Sequence, residues 1–581
     1  MTSSMWRQKE RRAVRPKIRS GPINRPMLFA CTLAGFAYAS YPADGSDAVM
    51  MSFSGAAAIG TAIAIARATK EAIKDYRLRR GLAIAESEST DHGSAREATL
   101  EERAAAGMDD PANGELFGTD LEAHPVFRPN GAPFSLVEMP PGVGKSVNLV
   151  MGSILNRTLL GYSLIVPDVK CELSVMLAPA LRKLGVEVWC INPARLYLDQ
   201  LGDVELNVYQ ALVDAVYESG DGKRDAVKIA ADIAALHLPV IKDERNPYFT
   251  HGSRRAILVV LLYLALVDPA RCTPTELYRL LADPAAFLKC CVHLQSFETT
   301  DAQDSVLQVA RLEARNMLHR AAKNEENFSS FLEGATQRLI SFNPAGHLGD
   351  YGADAIRNLS AVRDGQIVVF IVAPLSHLRE FSDFISLLTH NVIAACKAKP
   401  NGHPVHIVGE EALNFRFHDL VGDLETMRGL GVTADLYIQS FAGLERHYGK
   451  EAAAAIESYA DVRIYAGLNS YARAKHVSDM LADETIRKQD GSYHTVSMDE
   501  LNISSKETGR RIMTPDEMMA MPKGQAWMFA RNMRPIRLQM LSYAEVSPWR
   551  DWVGNSPITG TRLHAQAKIA IDYPQLQEKN R

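Results

Sequence analysis

The sequence predicts an α/β protein: a parallel sheet whose strands alternate with helices, broken by an all-α insertion and preceded by two apolar helices. Three observations carry this. Short apolar runs bounded by turn residues recur from Phe134 to Ile191 and again from Gln366 to Ala530. Between them, from Ala211 to Asn343, the apolar residues switch to helical spacing. Ahead of both, two uncharged stretches lie between clusters of basic residues. The chain has 581 residues, 47% of them hydrophobic and 23% charged. That composition excludes wholesale disorder and a collagen-like repeat, and the length allows several domains. The seven cysteines form no CxxC pair. Such a sparse, odd set argues against a disulfide framework or a structural zinc site and fits a reducing compartment.

Residues 1–26 hold eight Lys or Arg and one acid, Glu10. Met27–Tyr41 is mostly apolar, Pro42–Asp47 is a turn with Asp44 and Asp47 but no base, and Ala48–Ala66 is rich in Ala, Ile and Met. Basic residues return at Arg67, Lys70 and Lys74. A helix needs about 20 residues to cross the ~30 Å hydrocarbon core. The second stretch has that length, and the first reaches it if Arg25 snorkels. Basic outer ends around an acidic turn fit a transmembrane hairpin with both termini in the cytoplasm. Gly55, Ala56, Ala57, Ala58 and Gly60 let the second helix pack closely. Two other readings stay open here: a cleaved signal peptide ending near Ala37-Tyr38-Ala39, and a pair of buried core helices. From Glu86 to Glu122 the chain turns acidic, with few large apolar residues, and reads as a linker, partly helical around Ala95–Ala106.

The globular part opens with a strand over Phe134–Met139, then Pro140-Pro141-Gly142-Val143-Gly144-Lys145-Ser146, then a helix over Val147–Arg157. Strand, Gly-containing loop, Lys-Ser and helix form the context of a Walker A phosphate loop. Pro141, Gly142, Val143 and Gly144 make the loop, whose backbone N–H groups would cradle the phosphates together with the helix N-terminus. Lys145 would reach the β- and γ-phosphates, and the Ser146 hydroxyl would ligate Mg²⁺. The motif's first glycine is replaced by Met139, a variant that Gly142 and Gly144 make tolerable; a chance Gly-Lys-Ser in a turn is the bland alternative. A second strand, Tyr162–Val166, runs into Pro167-Asp168-Val169-Lys170-Cys171-Glu172. Strand-end carboxylates and a lysine beside a phosphate loop sit where α/β sheets bind ligands, and Asp168 is a candidate for the nucleotide site; a plain polar strand-to-helix turn is the other reading. Val186–Ile191 is a third strand.

In the insertion, Ala226–Leu238, Arg255–Val267, Pro274–Leu281 and Val306–Leu318 have helical spacing. Ile257–Val267 is apolar for eleven residues, too short to span a membrane and suited to a buried core. Strands resume at Gln366–Val372 and Val405–Val408, joined by the helix Phe381–Cys396. Gly409-Glu410-Glu411 then stands where a Walker B motif has its acids. In the preferred alignment Glu410 holds Mg²⁺ and Glu411 orients or activates the attacking water. The other alignment puts Gly409 at the metal position and Glu410 at the catalytic one. Leu436–Ile438 is a strand ending in Gln439, an amide placed to sense the γ-phosphate, and Gln525–Ala530 is the last strand read. A phosphate loop among alternating strands and helices specifies a RecA-like P-loop NTPase domain with an all-α insertion. His347, His377 and His406 are isolated, with no metal spacing, and read as structural.

The hairpin, the phosphate loop, Asp168-x-Lys170-x-Glu172-Leu173, the helical insertion, the late Walker B, Met427-Arg428-x-Leu-Gly431, Gln439-Ser440 and Thr514-Pro515-Asp516-Glu517 form an ordered series. In that order, from about Arg7 to Tyr543, they resemble the type IV secretion coupling proteins of the TraG type. The resemblance implies a hexameric ATPase using ATP and Mg²⁺ in the bacterial inner membrane, two-pass, with both termini and the ATPase domain cytoplasmic. It would recruit single- or double-stranded DNA without sequence preference, relaxases or effector proteins, and pass them to type IV secretion channel components. It also implies that Gln439 couples γ-phosphate state to subunit movement and that Arg428 is an arginine finger given to the neighbouring subunit; a surface arginine in a turn is the alternative. The expected organisation is a basic tail (1–26), an anchor (27–66), a charged linker (67–124), the NTPase domain in two parts (125–210 and 344–545) around an all-α subdomain (211–343), and a tail (546–581). Two rival functions remain. A nucleotide-binding docking platform with little hydrolysis is motivated by Met139 and Glu410. A DNA translocase of the chromosome-partitioning kind would need a DNA-reading winged helix, for which Tyr543–Arg581 is short.

Overall fold

A computed structural model describes residues 59–63, 65–67, 69–70, 94–217, 223–239, 246–299, 304–349, 351–353, 355, 357–411, 417, 419–493 and 501–573. The first apolar stretch and most of the second, with the turn between them, lie outside the described residues. The described part of the second stretch is helical, and Ile59, Ile63 and Ile65 on it are each at least half exposed.

The chain divides into two compact units. The larger, Ala95–Asp483 with Arg511–Arg581, is built on an eleven-stranded sheet. Its strands are β1 (Leu116–Thr119), β2 (Pro125–Phe127), β3 (Phe134–Glu138), β4 (Ser163–Asp168), β5 (Glu187–Ile191), β6 (Ile367–Val372), β7 (Val405–Gly409), β8 (Val432–Ile438) and β9 (Val462–Tyr465). After the hairpin strands β10 (Asp483–Tyr493) and β11 (Leu501–Arg511) come β12 (Gln525–Ala530) and β13 (Ile536–Gln539). The order in the sheet is β2-β1-β13-β12-β9-β3-β8-β7-β4-β6-β5. The run from β9 to β5 is parallel, and β12, β13, β1 and β2 extend it antiparallel. The smaller unit, Met1–Ser94 with Glu484–Arg510, contains most of the two-stranded β10–β11 sheet.

The parallel strands are buried on both faces, so their sequences are continuous apolar runs. In β6 every residue is buried: Ile367, Val369 and Ile371 join one core cluster, and Val368, Phe370 and Val372 the other. The first cluster continues into the helices Gln210–Tyr217, Lys223–His237, Pro247–Val267, Pro274–Ala282, Pro284–Ser296, Asp304–Lys323 and Glu325–Arg338, all between β5 and β6. Pro247–Val267 is the one described helix long and apolar enough to cross a membrane, and 61% of its apolar window is buried. It starts eight residues before the predicted Arg255. Gly252 in it lies against Phe331, whose ring a Cβ would meet at 2.4 Å.

The acidic stretch read as a linker differs from expectation. Leu100–Ala105, inside the part expected to be helical, is a capped helix with Thr99 and Glu102 in a capping box, but Leu116–Thr119 is a fully buried strand. The cause is Glu115, 2% exposed, which accepts hydrogen bonds from Arg128 and Arg157. Charge paired in this way is buried although composition alone says it is solvated.

Candidate functional site

The parallel register brings Glu138, Asp168, Gly409, Ile438 and Tyr465 to the same edge of the sheet, the carboxyl ends of their strands. Phosphate loop, Walker B and Gln439 all leave from that edge, where open α/β sheets bind ligands.

Met139 does not enter the loop. It is fully buried, and its N–H donates to the Ile438 carbonyl at 2.9 Å, so it extends β3 into the core. The reversal is made by Gly142 and Gly144, at φ +82° and +93°, values that disfavour any other residue. Pro141 and Gly142 are exposed at the loop's tip, and Val143 packs on Gly467, where a Cβ would meet it at 2.6 Å. Lys145 closes the loop and is 8% exposed. Ser146–Val150 forms a π-turn that leads into the helix Met151–Leu159.

Two carboxylates meet this loop from the end of β7. Ser146 Oγ donates to Glu410 Oε1. Burial pushes the Glu410 carboxyl up to about 7, against the Ser146 hydrogen bond and Lys145, with Asp168 adding to the rise. Glu411 takes Lys170 Nζ at 2.7 Å and Lys145 Nζ at 3.4 Å on Oε1, and Gln439 Nε2 at 2.5 Å on Oε2. Burial acts to raise its carboxyl, but Lys170, Lys145 and Gln439 outweigh it and hold the group below the ordinary value. Its backbone is left-handed, φ +54°.

Asp168 is 2% exposed, and its oxygens are turned to the start of the helix Glu172–Lys183. They accept the N–H of Glu172 at 3.2 Å and the N–H and hydroxyl of Ser174 at 2.7 Å each. Asp168 therefore shapes the turn beside the phosphate loop and makes no hydrogen bond to Lys145 or Ser146 among the described contacts. Arg428 lies in the 3₁₀ turn Met427–Leu430; its side chain is outside the described residues. Lys170, read in the sequence as a lysine beside the phosphate loop at the ligand-binding edge, is brought onto Glu411. Arg473 was missed: it bonds Glu138 and Glu457 at the same edge, and no local signal marks a partner 335 residues away.

The donor set suits a hard divalent cation. Ser146 and Glu410 offer oxygens only, the class Mg²⁺ selects, and Glu410 is a buried carboxylate whose one described hydrogen bond comes from that hydroxyl. A second group with metal-like spacing, Glu115, His406 and Asp435, is different. Arg128 and Arg157 occupy its carboxylates, and His406 is held by Ser153 at 3.1 Å and Thr433 at 2.8 Å. It is an ion-pair network beneath the phosphate-loop helix.

Residues 101–558 match the family model described as Type IV secretory system Conjugative DNA transfer. Among solved structures, the bacterial conjugative coupling protein TrwBdeltaN70 in its unbound monoclinic form is similar with TM-score 0.52 and 15% identity, covering 75% of this chain and 91% of that one. The plasmid coupling protein TrwB in complex with ADP and Mg²⁺ gives TM-score 0.52 and 15% identity over 77% of this chain and 94% of that one. TrwB with the non-hydrolysable GTP analogue GDPNP gives 0.51 and 15% over 75% and 92%. At that identity the likeness is one of fold. No curated protein matches.

Proposed function

From the premise that the chain belongs to the Type IV secretory system Conjugative DNA transfer family, and so links DNA transfer to type IV secretion, we propose that it is a membrane-anchored ATPase that drives transfer of its cargo. The observation that carries the ATPase reading is the convergence of Lys145, Ser146, Glu410, Glu411 and Gln439 on one sheet edge. ATP would lie along the loop Pro141–Ser146, with Lys145 on its β- and γ-phosphates and loop N–H groups around them. Mg²⁺ would be held by Ser146 and Glu410 and would neutralise charge between the phosphates. Glu411 would orient the attacking water, and Gln439, bonded to Glu411, would relay the state of the γ-phosphate to the segment after β8. Arg428 would stabilise phosphate charge in the neighbouring subunit of a hexamer. Basic residues of a central channel would hold DNA by its backbone, without reading bases. Relaxases or effector proteins would bring the cargo and type IV channel components would receive it.

The two-pass anchor in the inner membrane rests on the charge pattern of residues 1–80 and on the outward-facing isoleucines of the described helical residues.

The test is ATP hydrolysis by the full chain with and without single- and double-stranded DNA. Turnover stimulated by DNA and abolished by Lys145→Ala is expected. Glu411→Gln should keep nucleotide binding while losing about 10²–10⁴-fold of turnover, the usual worth of a general base. Nucleotide binding without turnover in the wild type would instead establish the docking platform.

A further inference from the structure

We propose that Lys170 is a positioning residue for this site, the cation that keeps the Glu411 carboxylate in place once Lys145 is engaged by phosphates; the proposal rests on the ATPase reading above. Glu411 is gripped on both oxygens from two neighbouring parts of the sheet edge. Gln439, after β8, holds Oε2 at 2.5 Å, and Lys170, after β4, holds Oε1 at 2.7 Å. Lys145 reaches the same Oε1 only at 3.4 Å. Phosphates draw on Lys145, which belongs to their loop, whereas Lys170 lies outside that loop and stays available to Glu411.

The mount of Lys170 is built for fixed geometry. The turn that carries it is closed by Asp168, whose two oxygens take three hydrogen bonds from Glu172 and Ser174. Cys171, next in the chain, is left-handed at φ +57°, and so is Glu411 at the other end of the contact, at +54°. Non-glycine residues pay roughly 1 kcal/mol or more for that region, and they hold it where the surroundings enforce it, above all at functional sites. Here one such residue, Glu411, is itself a partner in the ion pair, and the other, Cys171, directly follows the second partner, Lys170. A plain structural role is the competing account. The Lys170 side chain is 36% exposed, and a pair of that kind adds little to stability. The two accounts differ in what they move: one turnover, the other melting temperature.

The experiment compares the full-length protein with Lys170→Ala and Lys170→Arg. It measures ATP turnover at saturation, the dissociation constant of a fluorescent ATP analogue with Mg²⁺, and the melting temperature. Lys170→Ala should lower kcat about 10- to 100-fold, the usual cost of removing a partner that orients a reacting group. KM, nucleotide affinity and melting temperature should change by less than about twofold and about 2 °C. Lys170→Arg should recover most of the rate, since it restores a cation to Oε1. Turnover of Lys170→Ala within about twofold of wild type would overturn the proposal. So would faster turnover, which makes Lys170 a brake, or nucleotide affinity falling as far as kcat, which makes it a phosphate ligand. If the wild type itself does not turn over, the ATPase reading fails, and the crystal structure of Lys170→Ala decides the rest. Displacement of Glu411 from Gln439 supports positioning by Lys170; an unmoved Glu411 refutes it.

Discussion

Arg473 sets both Nε, at 2.9 Å, and Nη2, at 2.7 Å, on the same carboxylate oxygen of Glu138. The other oxygen of Glu138 accepts the N–H of Phe441 at 3.0 Å, and Arg473 Nη2 also reaches Glu457 at 2.7 Å. Glu138 is the last residue of β3, and Phe441 follows Gln439 and Ser440. The strand that presents the phosphate loop and the segment behind Gln439 are thus tied through one side chain.

Arg473→Ala leaves Glu138 buried without its cation. The expected loss is on the order of 2–3 kcal/mol, below the figure for a fully buried pair because Arg473 keeps some exposure. Nucleotide affinity should fall with it, since β3 and the segment after Gln439 lose their tie. Urea unfolding and nucleotide titration of Arg473→Ala and Arg473→Lys check this. A lysine restores the charge but not the double contact, so Arg473→Lys should lie between.

Arg128 joins Glu115 and Asp435 in the core, and each of the three is at most 2% exposed. Removing the guanidinium takes from two buried carboxylates, which burial drives toward protonation, a cation that helps hold them ionised, and leaves Glu115 with Arg157. Arg128→Met should cost about 3–5 kcal/mol, as breaking a buried ion pair does. Chemical denaturation reads the loss directly. Ser153 on the phosphate-loop helix donates to Asp435 at 2.9 Å, so weaker nucleotide binding should accompany it.

These two networks mark the limit of what the sequence makes legible. The strand over 367–372 is plain because all six residues are apolar and buried on both faces. Lys145 and Ser146 are plain because a phosphate loop needs them adjacent, and Glu410–Glu411 because they follow an apolar strand. The pairing of Lys170 with Glu411 is not, since 241 residues separate them and only the sheet order makes them neighbours. Glu115 misleads outright: an acid in an acidic stretch looks solvated, and only Arg128 and Arg157 explain its burial. The antiparallel extension β12-β13-β1-β2 is hidden for a related reason, because β1 and β2 are short and their partner β13 comes from the far end of the chain.

Gly252 allows the helices Pro247–Val267 and Glu325–Arg338 to touch. A methyl group there meets the Phe331 ring at 2.4 Å, and Ser253 next to it donates to the Phe331 carbonyl at 2.7 Å. Gly252→Ala gains helix propensity of about 1 kcal/mol but must push the ring aside, at about 1–3 kcal/mol for overpacking. The net expectation is a loss of up to about 2 kcal/mol in thermal or chemical unfolding, with nucleotide binding unchanged because the helices lie outside the site.

His237 makes the protein sensitive to acid. It is buried on the helix Lys223–His237, with Nε2 2.6 Å from the Tyr209 hydroxyl and its ring edge-on to Phe342. Nδ1 has no hydrogen-bond partner among the described residues, and burial lowers the imidazole to about 3. The folded protein therefore keeps His237 neutral where the unfolded chain, near 6.5, already binds a proton. The unfolded state binds more protons between those values, so this group's contribution is fully present above pH ~6.5 and is lost as pH falls toward 3. The slope from this one group is about 1.4 kcal/mol per pH unit. Carboxylates titrate in the same window, which makes the difference between two proteins the quantity to read. His237→Gln keeps an acceptor for Tyr209 and cannot be protonated. Its stability should fall less steeply than that of wild type between pH 6 and pH 4, by about one proton's worth of slope, in urea unfolding at a series of pH values. Parallel curves for the two proteins would show that His237 is already charged in the fold.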